Sequence, residues 1–394
     1  MVEVVEAVGH TAEAARATSA GRSPIRGEGI RPHLRAFVET AVFILPALLG
    51  PAVIVAYLVG RYHVHPLTVD GKHFADGGFL FDLHVMWKAG HDVVTGHSPY
   101  PFVYPAPAAI LMVPFGFLPW KLAVVAFSLF VVGALFLTLR LLGVRDWRCY
   151  GAALASLPFV GSLAVGTLST FIALCAAATW RYRDRRWIVA TAIVGAVVTK
   201  LFLWPLVVWL AATRRFRTAG TTVVLGVVTV FGCWAMLGFA GLRGYLHFLG
   251  HVAGLEQARS YSPFALIRSV GASNSAAHLA LYGLTVVGIA AIFAIARGRD
   301  GDRRAFVAAL AVALLVSPIV WLHYLVLVYV VIALYRNRMS AAWLLPFFYW
   351  TLPGEDSHGS TSVILRMYAF TAVAVGLAMY HRKARPPRAA LASR

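Results

Sequence analysis

Apolar runs of membrane length recur along the chain, separated by short polar turns. The first covers about 36–59, and a longer, more polar stretch follows to about 118. Further runs occupy roughly 119–141, 149–165, 168–180, 187–199, 201–213, 218–240, 276–297, 304–320, 323–335, 339–353 and 360–380. A helix crosses the hydrocarbon core with about 20 apolar residues. The pattern therefore predicts an all-α polytopic membrane protein of about 12 transmembrane segments. The count falls to roughly 10 where runs of 13 to 17 residues tilt, pair or enter only part way. Residues 1–35 are polar and carry Gly21, Pro24, Gly27, Gly29 and Pro32, which predicts a disordered cytoplasmic tail. Residues 36–381 form the transmembrane unit and 382–394 a basic cytoplasmic tail. A charged leader running straight into a full-length span predicts no cleavable signal peptide.

Within the first polar stretch, 60–118, Leu83, Met86, Trp87, Gly90 and Val94 recur at helical spacing, with His84, Lys88, His91 and Asp92 elsewhere on the wheel. That spacing predicts an amphipathic helix lying on the membrane surface. Pro99, Pro101, Pro105 and Pro107 then exclude a regular helix and predict a rigid loop leading into the next span.

Composition settles the solvent. Hydrophobic residues make up 60% of the 394 and charged residues 13%, against about 25% charged in a soluble domain. The net charge of +19 does not indicate nucleic acid, because the basic residues sit in short clusters between apolar runs. These clusters are Arg22 to Arg35, Arg140 to Arg148, Arg181 to Arg186, Arg214 to Arg217, Arg297 to Arg304, Arg336 with Arg338, and Arg382 to Arg388. All seven fall on alternate turns, so all can be cytoplasmic at once, with both termini inside. The remaining turns then face outward: 60–118, 166–169, 199–200, 241–275, 317–323 and 353–360. They hold most of the polar residues that topology leaves unexplained, which predicts an outward-facing cavity. Cys149, Cys175 and Cys233 lack ligand spacing, so neither a zinc site nor a disulfide framework follows.

Several residues in the outward turns could carry chemistry. Asp82 begins the amphipathic helix. It is either an N-cap, for which Asp is well suited, or a carboxylate placed to take a proton. Tyr100 and Tyr104 offer aromatic platforms to a sugar, and Ser98 lies just before them. Lys200 sits between two apolar runs. A charge at membrane depth costs at least a few kcal/mol, so it either snorkels at a hairpin tip or binds an anion such as phosphate. Trp321 and His323 follow Ser317-Pro318 in what is either an interfacial aromatic belt or part of a site. Arg268 is an outward arginine that the charge rule does not require. Glu355, Asp356 and His358 lie in the last outward turn.

Taken in order, several motifs resemble those of glycosyltransferase family 87: Asp82 with its helix, Gly96-x-Ser98-Pro99-Tyr100, Tyr104-Pro105, Thr199-Lys200 and Ser317-Pro318-x-x-Trp321-x-His323. The resemblance covers roughly residues 36 to 380. Leu201 stands where members often carry proline, and Tyr324 where they often carry a second histidine. Ala106 interrupts the usual Tyr-Pro-Pro run. The resemblance implies a GT-C-type membrane enzyme that takes sugar from a polyprenyl-phosphate donor and passes it to a glycolipid or polysaccharide acceptor outside the membrane. The sugar would be mannose or, alternatively, arabinofuranose. Inversion at the anomeric carbon is implied, with Asp82 in the place of the family's catalytic aspartate.

In that scheme Lys200 and Arg268 face the departing phosphate, and His323 contacts donor phosphate or acceptor. Neither a cofactor nor a metal is expected, since none of the outward turns carries an Asp-x-Asp motif. A lipid or solute transporter would also place polar residues in a membrane cavity. It would favour inverted repeats, and no internal repeat stands out. A non-catalytic scaffold would tolerate loss of Asp82.

Overall fold

The computed structural model describes residues 80–352 and 360–380. Five expected features lie outside the described residues: the N-terminal tail, the first span, residues 60–79, the turn carrying Glu355, Asp356 and His358, and the basic C-terminal tail. Among the described residues every regular element is helical and there is no strand.

The chain opens with α1 (Phe81–Val94), followed after the proline loop by α2 (Ala106–Leu111) and α3 (Val113–Gly116). Helix α4 (Trp120–Leu141) leads to α5 (Trp147–Leu154), α6 (Leu157–Val165), α7 (Ser169–Arg181) and α8 (Arg186–Lys200). Then come α9 (Pro205–Ala212), α10 (Phe216–Met236), α11 (Leu242–Glu256), α12 (Pro263–Ser269), α13 (Asn274–Ala296) and α14 (Gly301–Val316). A 3-10 turn (Leu322–Val326) opens into α15 (Leu327–Tyr335). Beyond it lie α16 (Ala341–Leu344), a further 3-10 segment (Leu345–Thr351) and α17 (Thr361–Met379).

Each apolar run within the described residues becomes helix, but not each becomes a span. Four helices, α4, α10, α13 and α17, are long and apolar enough to cross a membrane, and α5 with α6 makes a fifth if a 56° bend is accepted. The bend has a local cause: Pro158 stands at the start of α6, has no N–H to donate and clashes with a continuing helix. Pro205 likewise starts α9 late, and Pro346 divides the run after 339. Twelve full spans therefore do not follow from the described residues. Shorter helices pack among the long ones.

Lipid is the solvent that fits the outer surface. Val223, Val224, Val227, Val228 and Phe231 of α10 are more than half exposed, as are Leu279, Val286 and Val287 of α13. Contiguous apolar bands of this kind are not tolerated on a monomer in water. The interior is equally apolar: Leu327 to Ala333 of α15 are all buried.

The arginine clusters meet at one end of the bundle. Asp302 receives a bidentate pair from Arg215 at 2.7 and 2.9 Å, and Arg183 approaches it at 3.4 Å. Trp209 Nε1 also donates to Asp302. Arg303 lies over the Tyr335 ring at 4.4 Å, Met339 N donates to Asp146, and Arg336 donates to the Tyr380 carbonyl. Five of the seven clusters are thus linked by direct contacts, the shared end that the alternating charge pattern requires.

Candidate active site

Lys200 closes α8, fifteen residues long, so it lies about 21 Å along the axis from Arg186 in the arginine end. A cation in the last turn also suits the helix dipole. Its Nζ donates to Thr167 Oγ1 at 3.1 Å, lies 3.4 Å from His323 Nε2, and sits 4.4 Å over the Tyr324 ring. Thr167 Oγ1 in turn lies 3.2 Å from Ser169 Oγ. Thr167, Ser169, His323 and Tyr324 are all buried. Leu201 directly follows with φ 48, left-handed backbone. Proline's ring fixes φ near −65°, so proline at 201 would demand a different path from this one.

The first turn of α1 is held against the same region. Leu80 N donates to Ala164 O at 2.7 Å. Gly166 ends α6 with φ 77, and a Cβ placed on it would come within 2.4 Å of the Leu83 Cβ. Only glycine meets both conditions, the left-handed backbone and the close approach. The turn Gly166-Thr167 therefore touches the helix of Asp82 on one side and receives Lys200 on the other.

Asp82 does not cap α1. The N-cap position is Leu80, at φ 60, and no side chain caps the helix. Asp82 stands within the first turn, where its charge still suits the dipole, and its Oδ2 accepts from Tyr104 Oη at 3.3 Å. Burial holds the Tyr104 phenol well above its ordinary pKa, and the Asp82 carboxylate and nearby Tyr324 raise it further. Tyr104 thus remains a donor to Asp82. Tyr324 is the residue common to both groups, near Tyr104 and under the Lys200 ammonium.

The other sequence candidates occupy different positions. Tyr100 is no open platform: its ring stacks on Trp234 at 4.6 Å and meets Tyr245 edge-on at 6.0 Å. Gly241 closes tightly over it, since an added Cβ would come within 2.6 Å of the ring. Burial raises the Tyr100 and Tyr245 phenols too. Ser98 is exposed, and its Oγ accepts from Tyr100 N at 3.3 Å. Trp321 is half-buried and its carbonyl accepts from Tyr324 N at 3.0 Å. Arg268 donates to the Ala272 carbonyl in the turn beyond its own helix, α12. Sequence reading passed over Thr167 and Ser169 as turn residues. The available signal was two small hydroxyl side chains in a short turn between apolar runs. Among the described residues no group of three His, Cys, Asp or Glu side chains could hold a metal ion.

A helical chain with lipid-facing spans, a half-buried lysine set against a buried histidine and a tyrosine-held carboxylate defines a polytopic membrane protein with a polar site at one end. The chain belongs to glycosyltransferase family 87, whose sequence profile matches residues 102–318. Tyr104, Lys200 and Arg268 fall inside that match, whereas Asp82 precedes it and His323 follows it. Among curated proteins it is similar to a polyprenol-phosphate-mannose-dependent alpha-(1-2)-phosphatidylinositol pentamannoside mannosyltransferase of Mycolicibacterium smegmatis. The two are 24% identical over 344 residues, covering 78% of this chain and 77% of that protein. No solved structure matches.

Proposed function

We propose that this glycosyltransferase moves mannose from a polyprenyl-phosphate donor to a hydroxyl of a glycolipid or lipid-linked glycan, at the outer face of the cytoplasmic membrane and with inversion. The observation that carries the reading is the pairing of Asp82 with Tyr104 next to the Lys200–His323 group, at the end away from the arginines. The activity of the mycobacterial relative supports the donor. Asp82 accepts the proton of the attacking hydroxyl as the new C1–O bond forms on the face opposite the phosphate. The bond from C1 to the phosphate oxygen breaks, and polyprenyl phosphate leaves with both bonding electrons. Lys200, steadied by Thr167, opposes the charge that grows on the leaving oxygen. His323 assists at the phosphate or orients the acceptor. No step requires a divalent ion, so activity should survive EDTA.

The test compares purified wild type with Asp82→Asn at matched thermal stability, using polyprenyl-phosphate mannose and phosphatidylinositol mannoside acceptors. Loss of a general base predicts a rate lower by roughly 10²–10⁴-fold. Equal rates would remove Asp82 from the mechanism. Turnover with polyprenyl-phosphate arabinose alone would reassign the sugar. Lipid movement across sealed vesicles without glycosyl transfer would replace the enzyme reading with a transporter.

A further inference from the structure

At the arginine end, a groove of about 660 Å³ runs between the last turns of α4 and the length of α5. Its walls are apolar, formed by Phe136, Leu137 and Leu154, with the open surface of Gly133 between them, and Trp147 and Tyr150 stand at its side. Arg140 and Arg145 line it as well. Among the described residues neither arginine has a carboxylate partner. The acid nearest in sequence is already engaged: Asp146 accepts from Arg148 Nε and Nη2, each at 2.9 Å, and from Met339 N at 3.0 Å. The Arg148 hydrogen bonds hold its carboxyl below the usual range, so it stays an acceptor committed elsewhere. Two guanidinium groups without a carboxylate partner among the described residues therefore stand over an apolar trough whose size is that of a ligand site.

We propose that this groove holds one anionic glycerophospholipid, with its phosphate between Arg140 and Arg145 and an acyl chain along Phe136, Leu137 and Leu154. A free phosphate would use the arginines and leave the trough unfilled. A neutral lipid would fill the trough and leave the arginines without an anion. A basic pocket at the end of membrane helices meets both needs with an anionic lipid, and the half-exposed Trp147 suits the level of the headgroups. Arg140 lies about 30 Å along α4 from Trp120, whose ring contacts His84 of α1. The groove is thus separate from the proposed transfer site and does not depend on it.

The experiment is native mass spectrometry of the full chain extracted from nanodiscs containing phosphatidylglycerol and phosphatidylcholine in equal amounts. Wild type should retain one phosphatidylglycerol in clear excess over phosphatidylcholine. Arg140→Gln with Arg145→Gln should weaken that retention on the order of 30-fold, as two arginines at an anionic headgroup imply. Gly133→Leu, which puts a side chain into open space, should also weaken it with both charges intact. The control pair Arg297→Gln with Arg299→Gln should leave it unchanged. Equal retention by wild type and the Arg140/Arg145 variant would overturn the proposal, as would equal retention of the two lipids. Competition by millimolar inorganic phosphate with no effect of Gly133→Leu would overturn it in favour of a simple anion site.

Discussion

Tyr104 donates its phenolic hydrogen to Asp82 Oδ2 across 3.3 Å, joining the proline-rich loop to the first turn of α1. The loop's prolines stiffen the backbone that carries the donor, so the carboxylate is oriented by a rigid neighbour instead of by its own helix. Tyr104→Phe keeps the ring and removes the donor. Rates should fall about 10- to 100-fold through kcat, with KM for the donor little changed, because misplacement of a reacting group carries penalties of that size. Steady-state kinetics in detergent check this. An unchanged kcat would make the contact structural only.

Lys200 gives a sharper contrast. Lys200→Met should lower turnover about 10²- to 10³-fold, the usual consequence of losing one group that stabilises developing charge. Methionine matches the length of the lysine stem, so the protein should stay folded. Lys200→Arg should recover part of the activity, since the planar guanidinium differs from ammonium in shape and hydration. Normal rates in Lys200→Met, measured over a donor series, would return the lysine to a helix-terminal role.

Helix α1 was legible because Leu83, Met86 and Gly90 repeat at helical spacing and all three are buried. The start of that helix was not legible. Asp82 reads as a cap, but Leu80 adopts the left-handed conformation ahead of it, held by a hydrogen bond to Ala164, more than eighty positions away. Lys200 stood out because a charge between apolar runs is expensive. Its neighbours Thr167 and His323 lie 33 and 123 residues distant, and no local pattern connects them. Tyr100 misleads for the opposite reason: an exposed-looking aromatic in a loop has its face taken by Trp234. Helix α11 and α12 lay within a turn whose polar residues masked short amphipathic helices. The number of full-length spans was not legible, because prolines at 158, 205 and 346 cut apolar runs into pieces.

Orientation can be read directly. In a background with Cys149, Cys175 and Cys233 replaced by alanine, Ser98→Cys should react with a membrane-impermeant maleimide applied to intact cells. Arg299→Cys should react only after permeabilisation. Both positions are exposed. The reverse pattern would place the transfer site on the cytoplasmic side and remove the reason for a lipid-phosphate donor.

Alkaline pH should unfold the loop end first. Tyr100, Tyr104 and Tyr245 all have phenols raised from an ordinary value of 10.0 chiefly by burial. Below that value both folded and unfolded chains hold the proton and the contribution is intact. Above it the unfolded tyrosines ionise first, so stability is lost as pH rises toward the folded values. The slope is at most about 1.4 kcal/mol per pH unit for each fully buried group and smaller for the half-buried Tyr100. Thermal melts from pH 8 to 11 should show a fall beyond pH 10, shallower in Tyr245→Phe. Identical slopes for the two proteins would contradict it.

Asp302 should matter for stability and not for turnover. Asp302→Asn weakens the pairs with Arg215 and Arg183 at the end remote from Lys200. A cost of about 1–2 kcal/mol is expected for a partly exposed network, seen as a lower melting temperature with kcat/KM unchanged. A large loss of kcat/KM would show that the two ends communicate.

The contact between Gly166 and Leu83 has a consequence for how such an enzyme can diversify. The path from Asp82 to Lys200 runs through this turn, where glycine backbone lies directly on helix α1. The other outward turns can therefore vary in sequence while this joint keeps the spacing of the two charged residues.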